Sequence, residues 1–319
     1  MPGSRPVKSL GGLLHPGPDH DYGRIGRAEW LGVDWSRHQH RLRIDGREAN
    51  YVELGEGPAL VFIHGLGASW QSWLEQMPEF GASHRVVAMD LPGFGYSESP
   101  SEDISIEYYA RWTARFMDVL GIESAAVVGN SMGGFVSAEL AIKFPERVQR
   151  LVFVSAAIFW QNRRRAQPLV QLARMSDAVV ARALVRATDD IATRRRLRYA
   201  ALASAGFRYP QYVSDELAHE MVRSARRTDG FLPALEALAG YDLEEELPKI
   251  SCPTLIVWGA NDQLVSVKDA ERLEDLIPDS RREVFERTGH VAMLERPERF
   301  NRLVQEFLAE APAAELAPR

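Results

Sequence analysis

The stretch Ala125-Ala126-Val127-Val128-Gly129-Asn130-Ser131-Met132-Gly133-Gly134 passes from a short apolar run into a G-x-S-x-G and then into a helical pattern. The apolar run reads as a buried strand. Phe135, Val136, Ala138, Leu140, Ala141 and Ile142 continue it as a helix. A serine at such a junction sits on a sharp strand-to-helix turn, a nucleophile elbow, with its hydroxyl held out. The turn brings two backbone segments close together, and Gly129 and Gly133 leave the room a Cβ would occupy. The helix that starts after Ser131 aims free N–H groups at whatever the serine attacks.

Working outward, the chain before the elbow alternates strands and helices. Leu42 and Ile44 alternate with Arg41 and Arg43, and Asp45-Gly46 then leads to Ala49, Tyr51 and Val52. Asp-Gly between two such segments predicts a hairpin. Short apolar runs at Ala59–Ile63, Val86–Met89, Ala125–Val128 and Leu151–Val154 predict strands, with helices over Ile104–Leu120 and Phe135–Phe144. That order points to a parallel sheet built from βαβ units. From Phe159 to Leu247 the periodicity is helical. Thr254–Trp258 then predicts a strand, Lys268–Leu276 a helix, Glu283–Glu286 a last strand and Pro297–Glu310 a last helix. One sheet interrupted by a helical insertion the size of a small lid accounts for the pattern. The expected organisation is a tail or surface wrap over 1–35, a core over 36–157 and 248–310, the insertion over 158–247, and a short tail over 311–319.

The chain has 319 residues, a formal net charge of −6 and a single cysteine, Cys252. The length suits one large α/β domain with an insertion. The mild acidity gives no electrostatic case for nucleic acid, and one cysteine forms no intramolecular disulfide. No run reaches the roughly 18 apolar residues of a membrane span, and the apolar stretch Leu10–Leu14 is short for a signal peptide. A cytoplasmic protein is the expectation. Residues 161–230 hold fourteen arginines, no lysine and seven acidic residues. That excess either favours an anionic substrate or an acidic rim, or is simply solvated helix surface, which is the more economical reading.

A serine hydroxyl needs a base, a group that holds the base, and donors for a developing oxyanion. Of the eight histidines, His290 follows the last strand through Arg287-Thr288-Gly289. Asp262 is the first acidic residue past Thr254–Trp258, in Gly259-Ala260-Asn261-Asp262, and Asp269 is the alternative one helix later. In a parallel sheet the strand C-termini share an edge, so Ser131, Asp262 and His290 should meet there. The order Ser, Asp, His is the one expected with this elbow. Met132 N–H supplies one oxyanion donor. The loop His64-Gly65-Leu66-Gly67 supplies the other, assigned to Leu66. His64 itself is read as a structural residue of its loop.

These pieces, with Asp90-Leu91-Pro92-Gly93-Phe94-Gly95-Tyr96-Ser97, carry a resemblance to the α/β-hydrolase superfamily from about residue 50 to 308. The resemblance implies an eight-stranded, mostly parallel sheet with the insertion as a helical cap over the pocket, and Asp90 as a structural anchor. Ser131 argues against the branches that carry aspartate at the elbow. Gly-Asn-Ser-Met-Gly-Gly is similar to the meta-cleavage-product hydrolases and to capped carboxylesterases. The former tend to carry tryptophan after the catalytic histidine, where this chain has Val291. They also carry a Gly-Gly-Asn-like oxyanion loop, unlike Gly65-Leu66-Gly67.

Residues beside these loops are the candidate pocket: Trp70, Trp73, Phe159, Trp160, Leu264, Val265, Val291 and Leu294, together with Leu66 and Met132. Core packing is the competing reading for each. The expectation is a serine esterase for apolar acyl or aromatic esters, a small-molecule substrate, without metal or organic cofactor. A carbon–carbon hydrolase or lactonase with the same triad is the alternative, and a ligand receptor on the same fold the remaining one.

Overall fold

A computed structural model describes residues 19–159, 191, 193–225 and 229–310. Eight strands form one sheet: β1 (Gln39–Ile44), β2 (Arg47–Leu54), β3 (Ala59–Ile63), β4 (Arg85–Met89), β5 (Ala125–Asn130), β6 (Val148–Val154), β7 (Thr254–Gly259) and β8 (Ser280–Phe285). Their spatial order is β1-β2-β4-β3-β5-β6-β7-β8. Strand β2 runs antiparallel to β1 and β4, and every later pairing is parallel. Asp45 and Gly46 take φ of 51° and 79°, the paired positive values of the tight hairpin turn that Asp-Gly favours.

The strand side chains alternate between two apolar cores. Val61, Ile63, Val127, Leu151, Phe153 and Trp258 face one, and Leu60, Phe62, Val128, Val152 and Val257 the other. Both faces of the central strands are therefore buried, which is why they read as continuous apolar runs. Helices α1 (Met77–Gly81), α2 (Ile106–Val119) and α3 (Met132–Lys143) lie between strands of the first half. Helices α2 and α3 close the first core, and Met77 and Phe80 of α1 enter the second.

After β6 the chain leaves the sheet. The described residues before β7 form α4 (Arg195–Ser204), α5 (Asp215–Ser224) and α6 (Phe231–Gly240), and no strand is assigned among them. Leu202 and Leu217 join the second core, whereas Ala234 and Leu238 join the first, so the described helices between β6 and β7 reach both faces of the sheet. The chain then completes α7 (Lys268–Leu276), α8 (Ala292–Glu295) and α9 (Pro297–Ala309). Residues 19–37 pack along the second core through Tyr22, Ala28 and Trp30. No helix among the described residues is long and apolar enough to cross a membrane.

Candidate active site

Strand β5 ends at Asn130, and Ser131 takes φ 55° and ψ −114° as the N-cap of α3. This is a strained conformation for a non-glycine residue, and the surroundings must impose it. Ser131 N–H donates to Val154 C=O at 2.9 Å, and Ser131 C=O accepts from Ala157 N–H at 3.0 Å. Asn130 Nδ2 donates to the same Val154 carbonyl at 3.0 Å. A Cβ on Gly129 would lie 2.3 Å from Gly133 O, and one on Gly133 would lie 2.2 Å from Ile63 O. The two glycines thus permit the approach of β5, α3 and β3 that pins the serine.

The loop after β8 presents His290, and the loop after β7 presents Asp262. His290 Nδ1 lies 2.7 Å from Asp262 Oδ2, with side-chain exposures of 6% and 0%. Asp262 Oδ1 accepts from Leu264 N–H at 2.8 Å and Val265 N–H at 2.9 Å. An ionised Asp262 places the imidazole proton on Nδ1 and leaves Nε2 as a lone-pair acceptor. Ser131 Oγ forms no hydrogen bond among the described residues.

Leu66 follows β3 in the loop next to the serine, where a Cβ on Gly65 would come within 3.2 Å of Ser131 Cβ. Neither Leu66 N–H nor Met132 N–H donates to an acceptor among the described residues. His64 is fully buried: Nδ1 contacts Gly65 O at 2.8 Å, and Leu91 N–H donates to Nε2 at 3.0 Å. Both nitrogens are therefore occupied by the backbone, and burial pushes the imidazole down to about 4. Asp90 accepts from Trp70 N–H, Tyr96 N–H and Asn50 Nδ2 at 2.8–2.9 Å. Burial still pushes its carboxyl up to about 6. His64 and Asp90 bind their loops, as the sequence reading expects.

The other singled-out residues divide by depth. Trp73 is fully buried, its ring stacked on Phe62 at 4.7 Å. Trp70 is buried and packs on Trp35 at 5.2 Å. Val265 is buried, and its carbonyl accepts from Trp258 Nε1 at 3.3 Å. Phe159 is buried beneath the Arg272 guanidinium, 4.2 Å from its ring centroid. Val291 and Leu294 lie in the second core just past the histidine. Leu264 stands beside it, within reach of Gly206. Trp160 and Arg163–Arg165 lie outside the described residues. A cavity of about 400 Å³ lined by Trp30, Arg198, Asp215 and His219 lies away from Ser131. So does a neighbouring one of about 260 Å³ that Trp70 helps to line.

Three neighbours of the site went unassigned in the sequence reading. Gly206, from the insertion, accepts from His290 N–H at 2.9 Å. A Cβ there would meet His290 Cβ at 2.5 Å, and nothing in the local sequence marks it. Phe231, at the start of α6, reaches the Gly65-Leu66-Gly67 loop, its ring within 3.2 Å of where a Gly67 Cβ would stand. Glu295 is buried and bonded to the backbone on both sides of His290. A carboxylate closing the apolar run Val291–Leu294 was the available signal.

The family described as the alpha/beta hydrolase fold matches residues 58–297. A 2-hydroxymuconate semialdehyde hydrolase of Pseudomonas sp. is 33% identical over 291 residues, covering 85% of this chain and 94% of its own length. A pimeloyl-acyl-carrier-protein methyl ester esterase of Aeromonas hydrophila is 30% identical over 258 residues, covering 80% of this chain and 96% of its own. Among solved structures, a meta-cleavage product hydrolase from Pseudomonas fluorescens superposes with a TM-score of 0.62 at 27% identity, covering 84% of this chain and 97% of that one. Sheet order, elbow and these likenesses agree, and the chain belongs to the α/β-hydrolase family of hydrolases.

Proposed function

We propose that this protein is a serine hydrolase that cleaves carboxylic esters through an acyl-enzyme, with Ser131 as nucleophile, His290 as base and Asp262 as its orienting carboxylate. The observation that carries the reading is a strained, half-buried Ser131 at the end of β5 together with a buried His290–Asp262 contact of 2.7 Å. His290 Nε2 takes the hydroxyl proton as Ser131 Oγ bonds to the ester carbonyl carbon. The tetrahedral oxyanion is held by the N–H groups of Leu66 and Met132. Collapse breaks the carbon–oxygen bond to the leaving alcohol, which receives the proton from His290. Water then adds to the acyl carbon, giving its proton to Nε2, and that proton returns to Ser131 Oγ as the acid leaves.

The insertion acts as a cap over this edge in the proposal, because Gly206 touches the base and Phe231 reaches the oxyanion loop. Leu66, Phe231 and Leu264 are apolar walls beside the reacting atoms, which suits apolar acyl or aromatic esters.

The second reading is carbon–carbon cleavage of a dienoic keto acid by the same residues, favoured by the 33% identity to the semialdehyde hydrolase. Val291 after the histidine and Gly65-Leu66-Gly67 in the oxyanion loop weigh toward esters. Turnover of p-nitrophenyl esters of graded chain length, acyl lactones and a dienoic keto acid tests the choice. Esters are expected to be the best substrates by kcat/KM, and Ser131→Ala is expected to abolish their turnover while leaving the fold intact. Faster cleavage of the keto acid than of any ester would install the second reading, and near-normal ester turnover by Ser131→Ala would remove the nucleophile.

A further inference from the structure

Glu295 gathers more segments of the chain than any catalytic role needs. Its carboxylate accepts from Gly289 N–H at 2.9 and 3.0 Å and from Val291 N–H at 3.4 Å, the residues on either side of His290. It also accepts from Arg208 N–H of the insertion at 2.9 Å and from the Tyr22 hydroxyl at 2.5 Å. Tyr22 in turn accepts from Tyr209 N–H at 2.8 Å, and Gly23 N–H donates to Glu295 C=O at 2.7 Å. Arg296 completes the strap. Its Nε donates to Thr288 Oγ1 at 2.6 Å and its Nη2 to Glu286 C=O at 2.9 Å, while the same guanidinium pairs with Asp19 and Asp21.

The loop that carries His290 is thus held from behind by residues 19–23, a segment more than 250 positions away in sequence. The N–H groups of the residues before and after the histidine are tied to one carboxylate, and that carboxylate is tied to Tyr22. An imidazole that must stay aligned with Asp262 depends on how its two neighbouring residues are held, since a misplacement of about 1 Å costs a catalytic constellation roughly 10²-fold.

We infer that Tyr22 is a positioning residue for the candidate base: through Glu295 it sets the alignment of His290 with Asp262, and so makes the N-terminal strap a functional part of the active site. The inference rests on the proposed role of His290, and its test has one arm that does not depend on turnover. Burial and the Glu295 charge hold the Tyr22 hydroxyl above its ordinary range, so it remains a donor at every pH at which the enzyme would be assayed.

Tyr22→Phe removes one oxygen from the strap and keeps the ring. It is compared in the full chain with Glu295→Gln and with Asp34→Asn, an exposed change farther along the N-terminal segment 19–37. On p-nitrophenyl butyrate, Tyr22→Phe is expected to lower kcat about tenfold with KM held within about twofold. Glu295→Gln is expected to lower it further and Asp34→Asn to leave it unchanged. The low-field proton resonance of the His290 Nδ1–H shared with Asp262 is expected to weaken or vanish in Tyr22→Phe and to persist in Asp34→Asn. Should no ester be turned over, that resonance still decides the inference, so the two failures are distinguishable. A Tyr22→Phe protein with an unchanged resonance and unchanged kcat, whatever its melting temperature, would leave Tyr22 a structural residue only and overturn the proposal. If Glu295→Gln fails to fold, Tyr22→Phe alone carries the decision.

Discussion

Asp262 shows how one side chain sets another's chemistry. Two backbone N–H groups hold its Oδ1, and among the described residues Oδ2 pairs with His290 alone. Asp262→Asn can present an amide N–H there instead and stabilise the wrong tautomer. Its kcat is expected to fall roughly 10³–10⁴-fold with little change in KM, read by steady-state kinetics on the best ester. His64 and Asp90 make a different prediction, about stability. Burial holds His64 down at about 4, so its contribution is full above the free-histidine value of about 6.5 and is lost as pH falls toward 4. Burial raises Asp90 to about 6, so its contribution is full below about 4 and is lost as pH rises through 6. The two oppose one another across the same window. Relative to Asp90→Asn, wild type is expected to lose about 2 kcal/mol of stability between pH 4 and 6. Urea unfolding of both proteins at each pH measures this, and a constant difference would contradict the raised carboxyl.

Among elements, the elbow tolerates least. Gly133→Ala would drive a Cβ to 2.2 Å from Ile63 O, a strand backbone that cannot step aside. A loss of about 2 kcal/mol or more, with activity lost as Ser131 shifts, is expected from overpacking of this kind. Gly240→Ala, near the end of α6, meets nothing within 4 Å and is expected to change stability by less than about 1 kcal/mol. Thermal melts of the two variants test the contrast. The same physics decided which boundaries the sequence could show. Strands Ala59–Ile63 and Thr254–Gly259 are buried along their length, and their apolar runs mark them to within a residue. Strand β8 pairs only with β7, at the sheet's edge, and opens with Ser280-Arg281-Arg282. Its polar half therefore hid its first three residues. Strand β6 likewise begins at Val148, ahead of the apolar run from Leu151, because the polar Gln149 and Arg150 interrupt the apolar pattern.

The molecule as a whole is a sheet with an apolar core on each face, closed on one face partly by the N-terminal strap. Trp30 is only 6% exposed and donates through Nε1 to Glu75 at 2.8 Å. Trp30→Ala is expected to cost about 3–5 kcal/mol in urea unfolding, where a change of only a few tenths would mean that the strap is not part of the folding unit. Composition alone left residues 1–35 open between a tail and a wrap, since Gly, Pro and charge suit either. The choice for 19–37 came from contacts with Glu295, Glu298 and Glu75, all distant in sequence. The family, the elbow and the order of candidate nucleophile, acid and base were legible in the chain itself, because strand-end position and glycine spacing are local properties. What only the tertiary structure decided is how that edge is enclosed. Gly206 against His290, Phe231 against Gly67 and Tyr22 behind Glu295 are contacts between segments that no local pattern relates. They exist because the sheet brings its strand ends to one edge and the chain must bury its remaining apolar and polar groups around it.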